Sequence, residues 1–275
     1  MEEYFKIFYN VSGLYFQQYL RNIIEKYPND NIHNGLSMFL GQYAFQRQGA
    51  DISYSHAALD TVEEFRNKHD HILPENFWNC FKNKLKSQGL NHRNNPLYPS
   101  TNPDHIQRII NNKYSLPELL QTEKIIESLD SYLLNLIRRE NNLESAYNFL
   151  MKIRGIGSKI ARLYLRDILV KNKINNVDNG QLALPVDVWI ERVIKLLSNN
   201  NNLTKEEISE IILNNSNDVL TACKINQGIW YTCANIIKSE YRLNHCLNDI
   251  EYLTNKIQEY KEEIINLSRV CEVGN

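Results

Sequence analysis

Apolar side chains return at intervals of three and four along most of the chain, the spacing of one helical face. Phe5, Phe8 and Tyr9 lead into Leu14, Tyr15 and Tyr19. Met38, Phe39, Tyr43 and Phe45 follow, and Leu133, Leu134, Leu136 and Ile137 repeat the pattern further on. Polar clusters separate these runs, while the strict alternation of a half-buried strand is scarce. The pattern predicts helices joined by loops around 27–34, 88–103, 172–181 and 198–202. Near the end, Ile250, Leu253, Ile257, Tyr260, Ile264 and Leu267 keep the same spacing and predict a terminal amphipathic helix. The asparagine clusters between elements read as a bias of composition without a motif.

Composition agrees with helices. The 275 residues are 43% hydrophobic, with 16 Tyr, 9 Phe and 3 Trp, whereas 10 Gly and 7 Pro leave few of the turns a many-stranded sheet needs. Thirty-one Lys and Arg against 32 Asp and Glu give a net charge of −1, which excludes a general basic coat for nucleic acid and confines any polyanion site to a local patch. No apolar run approaches the roughly 20 residues of a membrane helix. The opening MEEYFKIFYN has neither the basic segment nor the long apolar core of a secretory leader. An intracellular protein is expected, in the cytoplasm or nucleoid, or in the nucleus of a eukaryote. Cys80, Cys223, Cys233, Cys246 and Cys271 contain no C-x-x-C pair and are expected to be free thiols. The seven histidines lack ligand spacing and no H-E-x-x-H occurs, so no metal is expected.

The most informative stretch follows Phe149. A helix ending near Lys152 meets Gly155-Ile156-Gly157, and Ser158 can cap a second helix carrying Ile160, Ala161, Leu163, Tyr164 and Ile168. Two glycines allow a tight turn and close approach of the backbone, with N–H groups at a helix start aimed outward, a geometry that holds phosphate. From Met151 to Lys173 there are seven cations, Lys152, Arg154, Lys159, Arg162, Arg166, Lys171 and Lys173, against Asp167 alone. In a neutral chain this concentration points to docking on a nucleic-acid backbone. Further on, Leu184-Pro185-Val186-Asp187 sets an extended approach to a helix, with Asp187 at the N-cap ahead of Ile190, Val193, Ile194 and Leu197. Taken singly, Asp187 reads as an ordinary cap and Lys159 as a solvated surface lysine.

Together, IRGIGSKIA and PVDVWIERV resemble the helix-hairpin-helix DNA glycosylase superfamily over 146–193. Lys159 matches the lysine of its bifunctional members, and Asp187 the family's catalytic aspartate. Pro-Val-Asp-Val is closest to the 8-oxoguanine DNA glycosylase/abasic-site lyases. The chain departs from the family in three respects. Asp187 follows Lys159 by 28 positions, a long interval filled by a polar loop. Trp189 stands where several relatives carry His. The last four cysteines are separated by 9, 12 and 24 residues, which does not suit the iron–sulfur cluster of the endonuclease III branch, so no cluster or other cofactor is expected.

The resemblance implies an all-α fold of two helical lobes, with the hairpin, about 146–170, at the cleft between them. One lobe is expected from 1–34 plus 180–275 and the other from 35–179. It also implies a partner and a chemistry: a monomer that binds double-stranded DNA containing a damaged or modified base, flips the nucleotide out and attacks C1′ with Lys159, assisted by Asp187. Arg154, Gly155, Gly157, Ser158 and Arg162 are the expected contacts to the DNA backbone. Gln42, Gln46, Trp189, Gln227 and Trp230 are the expected base pocket, although Trp230 fits a packed core equally well. Two alternatives remain: a helix-hairpin-helix binding module without chemistry, and a glycosylase for another oxidised or hypermodified base.

Overall fold

A computed structural model describes residues 1–26, 32–44, 52–68, 74–89, 128–152 and 156–273. The described chain is all-α. Its helices are α1 (Glu2–Tyr15), α2 (Arg21–Lys26), α3 (Ile32–Phe39), α4 (Ile52–Asn67), α5 (Pro74–Ser87), α6 (Leu129–Glu140), α7 (Glu144–Lys152), α8 (Ser158–Asn172), α9 (Val188–Ser198), α10 (Lys205–Asn214), α11 (Val219–Tyr231), α12 (Glu240–Asn248) and α13 (Ile250–Val273). Wider π-helical turns occupy Phe16–Leu20, Leu40–Ala44 and Thr232–Ile237, and a 3₁₀ turn spans Gly180–Ala183. No strand occurs among the described residues. Within the span 27–34 expected as a loop, α3 already begins at Ile32, and 27–31 lie outside the described residues.

The chain divides into two compact units. One comprises Met1–Arg21, Asn172–Asn176 and Leu184–Asn275, and the other Asn22–Lys171 and Val177–Ala183. The early boundary falls at Arg21, so the described residues of 22–26 and 32–34 cluster with the central unit.

In the unit built from the chain ends, α1 crosses α11 at very short range. A Cβ placed on Gly228 would lie 1.8 Å from the Phe8 carbonyl oxygen, so only glycine lets these two backbones meet. Phe5, Phe8, Val11 and Tyr15 of α1 are buried, as are Ala222, Ile225 and Ile229 of α11. Helix starts are capped locally. Thr204 and Glu207 form a reciprocal capping box on α10, and Asp218 accepts from the Thr221 N–H on α11. Asparagine takes a defined part at helix ends: Asn199, at φ 51°, closes α9 in the left-handed conformation usually reserved for glycine.

The central unit uses the same devices. Ser128 caps α6 and Asn141, at φ 49°, closes it. Its interior also encloses charge. Arg166 of α8 pairs with Asp167 at 2.9 Å, both side chains being 2% exposed, and the Tyr43 hydroxyl donates to the same carboxylate at 3.1 Å. One turn on, Lys171 pairs with buried Asp130 at 3.0 Å, and Ser128 donates to Asp130. Tyr164 packs between, its ring centroid 4.7 Å from Tyr43 and 5.0 Å from Phe39. Burial, and secondarily the Asp130 charge, push its hydroxyl well above the ordinary tyrosine range. In these two pairs each buried ion has an opposite charge in contact, the condition for keeping it out of water.

These contacts set the stability of three variants. Gly228→Ala forces α1 and α11 apart and is expected to cost more than about 4 kcal/mol, whereas Gly13→Ala, with nothing within 4 Å of its Cβ, should gain about 0.5–1 kcal/mol. Arg166→Met strands a buried carboxylate and is expected to cost about 3–5 kcal/mol. Urea denaturation of the three variants measures all of these.

Candidate functional site

The stretch expected to form the hairpin turn is described from Ile156 onward, ahead of α8. Arg154 and Gly155, both expected to contact DNA, lie outside the described residues, as does Gln46 of the expected base pocket. Ile156 is buried and anchors the turn, while Gly157, Ser158 and Lys159 are exposed. The Gly157 carbonyl accepts from the Ala161 N–H at 3.1 Å, which makes Gly157 the first residue to feed the α8 ladder. Among the described residues nothing lies within 4 Å of the position a Cβ would take on Gly157, and its φ is not positive, so neither packing against the described residues nor backbone conformation requires glycine there.

The cations beyond it divide sharply. Lys159 stands in the first turn of α8 and is exposed. Arg162, expected to grip DNA, is only 7% exposed. Four residues later Arg166 is enclosed with Asp167, and Lys171 with Asp130. Arg162 and Arg166 are one turn apart and share the buried face of α8. Arg162 is therefore turned into the protein, leaving little of its guanidinium for a phosphate. Three of the seven cations that made the stretch look basic belong to the interior of the central unit. Lys173 remains exposed.

Asp187 belongs to the other unit. The chain before it is extended and buried at Leu184, Pro185 and Val186. Ser209 Oγ donates to the Leu184 carbonyl at 3.3 Å, and Asn226 Nδ2 to the Pro185 carbonyl at 3.0 Å. Asp187 then caps α9: its Oδ1 accepts from both the Trp189 and Ile190 N–H groups at 3.0 Å. A carboxylate at this end of a helix is attracted by the positive end of the dipole. Among the described residues no hydrogen bond reaches its Oδ2. The Cys233 thiol in the same unit is pushed up by burial and, secondarily, by the Asp187 charge.

The remaining expected pocket residues are distributed between the units. Trp189 is half-buried in the first turn of α9, with the Arg192 guanidinium 5.6 Å from its ring centroid, and Arg192 pairs with Glu240 at 3.1 Å. Gln227 of α11 is fully buried. Trp230, half-buried on the same helix, meets Tyr15 and Tyr19 edge-on at 5.8 and 5.6 Å. Gln42 is half-buried in the π-helical turn Leu40–Ala44 of the central unit. Asn226 and Ser209, which hold the approach to Asp187, were not singled out by sequence. The available signal was a polar pair, Asn226-Gln227, inside the otherwise apolar repeat of Ile225 and Ile229.

Among the described residues no cluster of His, Cys, Asp and Glu has the form of a metal site, and no helix is long and apolar enough to cross a membrane. No family model and no solved structure matches the chain. An uncharacterized protein of Methanocaldococcus jannaschii is similar to it, 34% identical over 211 residues. That match covers 70% of this chain and 48% of the archaeal protein, so the chain spans about half the length of that relative.

Proposed function

We propose that this chain is a base-excision DNA glycosylase with abasic-site lyase activity, acting on double-stranded DNA with 8-oxoguanine as the favoured base. The observation that carries the reading is the exposure of Lys159 in the first turn of α8, while Arg162, Arg166 and Lys171 of the same helix are turned inward. A primary amine offered to solvent just past an open glycine suits attack on a sugar bound at that turn. Gly157 supports the same reading, since none of the described residues fills the space beside it. A phosphate could approach the N–H groups at the start of α8 through it.

In this mechanism Lys159 Nζ attacks C1′ of the flipped nucleotide. The C1′–N bond breaks, and the base leaves with the bonding pair and takes up a proton. Loss of a proton from the attacking nitrogen and opening of the C1′–O4′ bond give an imine. Removal of a C2′ proton then expels the 3′ phosphate by β-elimination, and water releases the enzyme. Asp187 assists as a carboxylate. Its Oδ1 is committed to the α9 cap, and its Oδ2 is the oxygen left to face developing positive charge or to accept the proton of the amine.

The test is strand nicking and borohydride trapping on duplexes carrying 8-oxoguanine, an abasic site or no lesion. Nicking and trapping at 8-oxoguanine by the wild type, abolished in Lys159→Gln, are expected. Activity at the abasic site alone would keep Lys159 as nucleophile and move the search to another base. Salt-dependent DNA binding with no cleavage of any duplex would replace the reading with a binding module. Asp187→Asn separates cap from chemistry, because an amide oxygen can still accept from Trp189 and Ile190. It should leave thermal stability nearly unchanged and lower turnover by about 10²-fold or more, whereas Asp187→Ala should also cost about 1 kcal/mol of stability.

A further inference from the structure

Buried extended chain in a helical protein has carbonyls that no ladder can accept, and each needs a partner. Between the 3₁₀ turn and α9 that need is met by two side chains from different helices. Ser209 on α10 serves Leu184, but its hydroxyl also lies 3.1 Å from the Lys205 carbonyl one turn back, so its single hydrogen is divided between two acceptors. Asn226 on α11 is fully buried and reaches across 41 residues of sequence to the Pro185 carbonyl. Pro185 has a fixed φ and no N–H. Its carbonyl lies in the peptide plane ahead of Val186, and the Asn226 bond to it holds that plane. Two residues on, Asp187 adopts φ −101° and ψ −176° and turns its carboxylate back over the start of α9.

We infer that Asn226 is a positioning residue for Asp187: by donating to the Pro185 carbonyl it fixes the angle at which the carboxylate stands at the start of α9. The inference rests on the proposed role of Asp187 in base excision. An amide of this length meets the requirement best. Aspartate would present an oxygen to an oxygen, alanine would leave the carbonyl unpaired, and glutamine would carry the amide one methylene too far.

The experiment compares wild type, Asn226→Ala, Asn226→Ser and Asp218→Ala. Asp218→Ala weakens the same helix at its own cap, away from the segment. Two readouts are taken: amide hydrogen exchange at Trp189 and Ile190, whose N–H groups Asp187 accepts from, and kcat and KM for nicking an abasic-site duplex. Asn226→Ala is expected to speed exchange at these two amides about tenfold beyond the rest of the unit, and to lower kcat by about 10–100-fold with KM within about twofold. Asn226→Ser retains a shorter donor and should fall between, and it carries the same comparison if the alanine variant fails to fold. Asp218→Ala should lower stability without moving either readout. Exchange at Trp189 and Ile190 that rises no more than elsewhere, or an unchanged kcat in an active enzyme, overturns the inference. Selective loss of protection in a protein whose wild type neither nicks nor traps DNA upholds the positioning of Asp187 and overturns the base-excision reading instead.

Discussion

An extended run of buried backbone among helices depends on borrowed hydrogen bonds, and the segment Leu184–Val186 is the point on which the candidate site turns. A helix satisfies its own carbonyls and a sheet satisfies those of its neighbours, but this segment has neither. Asn226 and Ser209 supply the missing donors, and the path they hold ends at Asp187. The packing of α11 matters for the same reason. Asn226 can reach Pro185 only while α11 stays seated, and its seat is the crossing with α1, where Gly228 lies against the backbone of Phe8. A methyl group at Gly228 would therefore disturb the core and the Asp187 approach together.

The central unit works under a different constraint, the cost of enclosing charge. Arg166 and Asp167 are adjacent in sequence, and their side chains meet inside the protein with Tyr43 completing the carboxylate. Breaking either half would leave an uncompensated ion, so such pairs hold elements in one arrangement even where their net contribution to stability is small. The consequence for function lies at the other end of the helix. With Arg162, Arg166 and Lys171 inside, exposed Lys159 is set apart from them on α8, and a change to an inward cation acts through folding.

Much of this was legible in the sequence because it is local. Periodicity marks the helices, and the terminal helix predicted from Ile250 onward is present as Ile250–Val273. The cap at Asp187 is also local, a short acceptor followed by a helical apolar face. What was missed depends on direction or distance. A count of seven cations between Met151 and Lys173 carries no information about which way each points, and α8 turns three of them inward. The asparagine clusters looked like noise because sequence does not display φ, yet Asn141 and Asn199 sit where a left-handed residue must end a helix. Asn226 was hidden for a third reason: its partner is 41 residues away, and a buried amide has the same appearance in sequence as a surface one.

The geometry of Asp187 shows how one residue can serve the fold and remain available for chemistry. Both cap bonds fall on Oδ1, so the helix start is satisfied by half of the carboxylate. The direction of the other oxygen is then fixed by the same two bonds, because a carboxylate is planar and a tether at one oxygen limits rotation of the whole group. Serine and threonine would cap α9 about as well but have no second oxygen. Asparagine would keep the cap and put an N–H₂ group in place of the second acceptor. Aspartate is thus the capping residue that leaves a second acceptor beside the helix start, and the buried amide of Asn226 holds the Pro185 carbonyl two residues ahead of it.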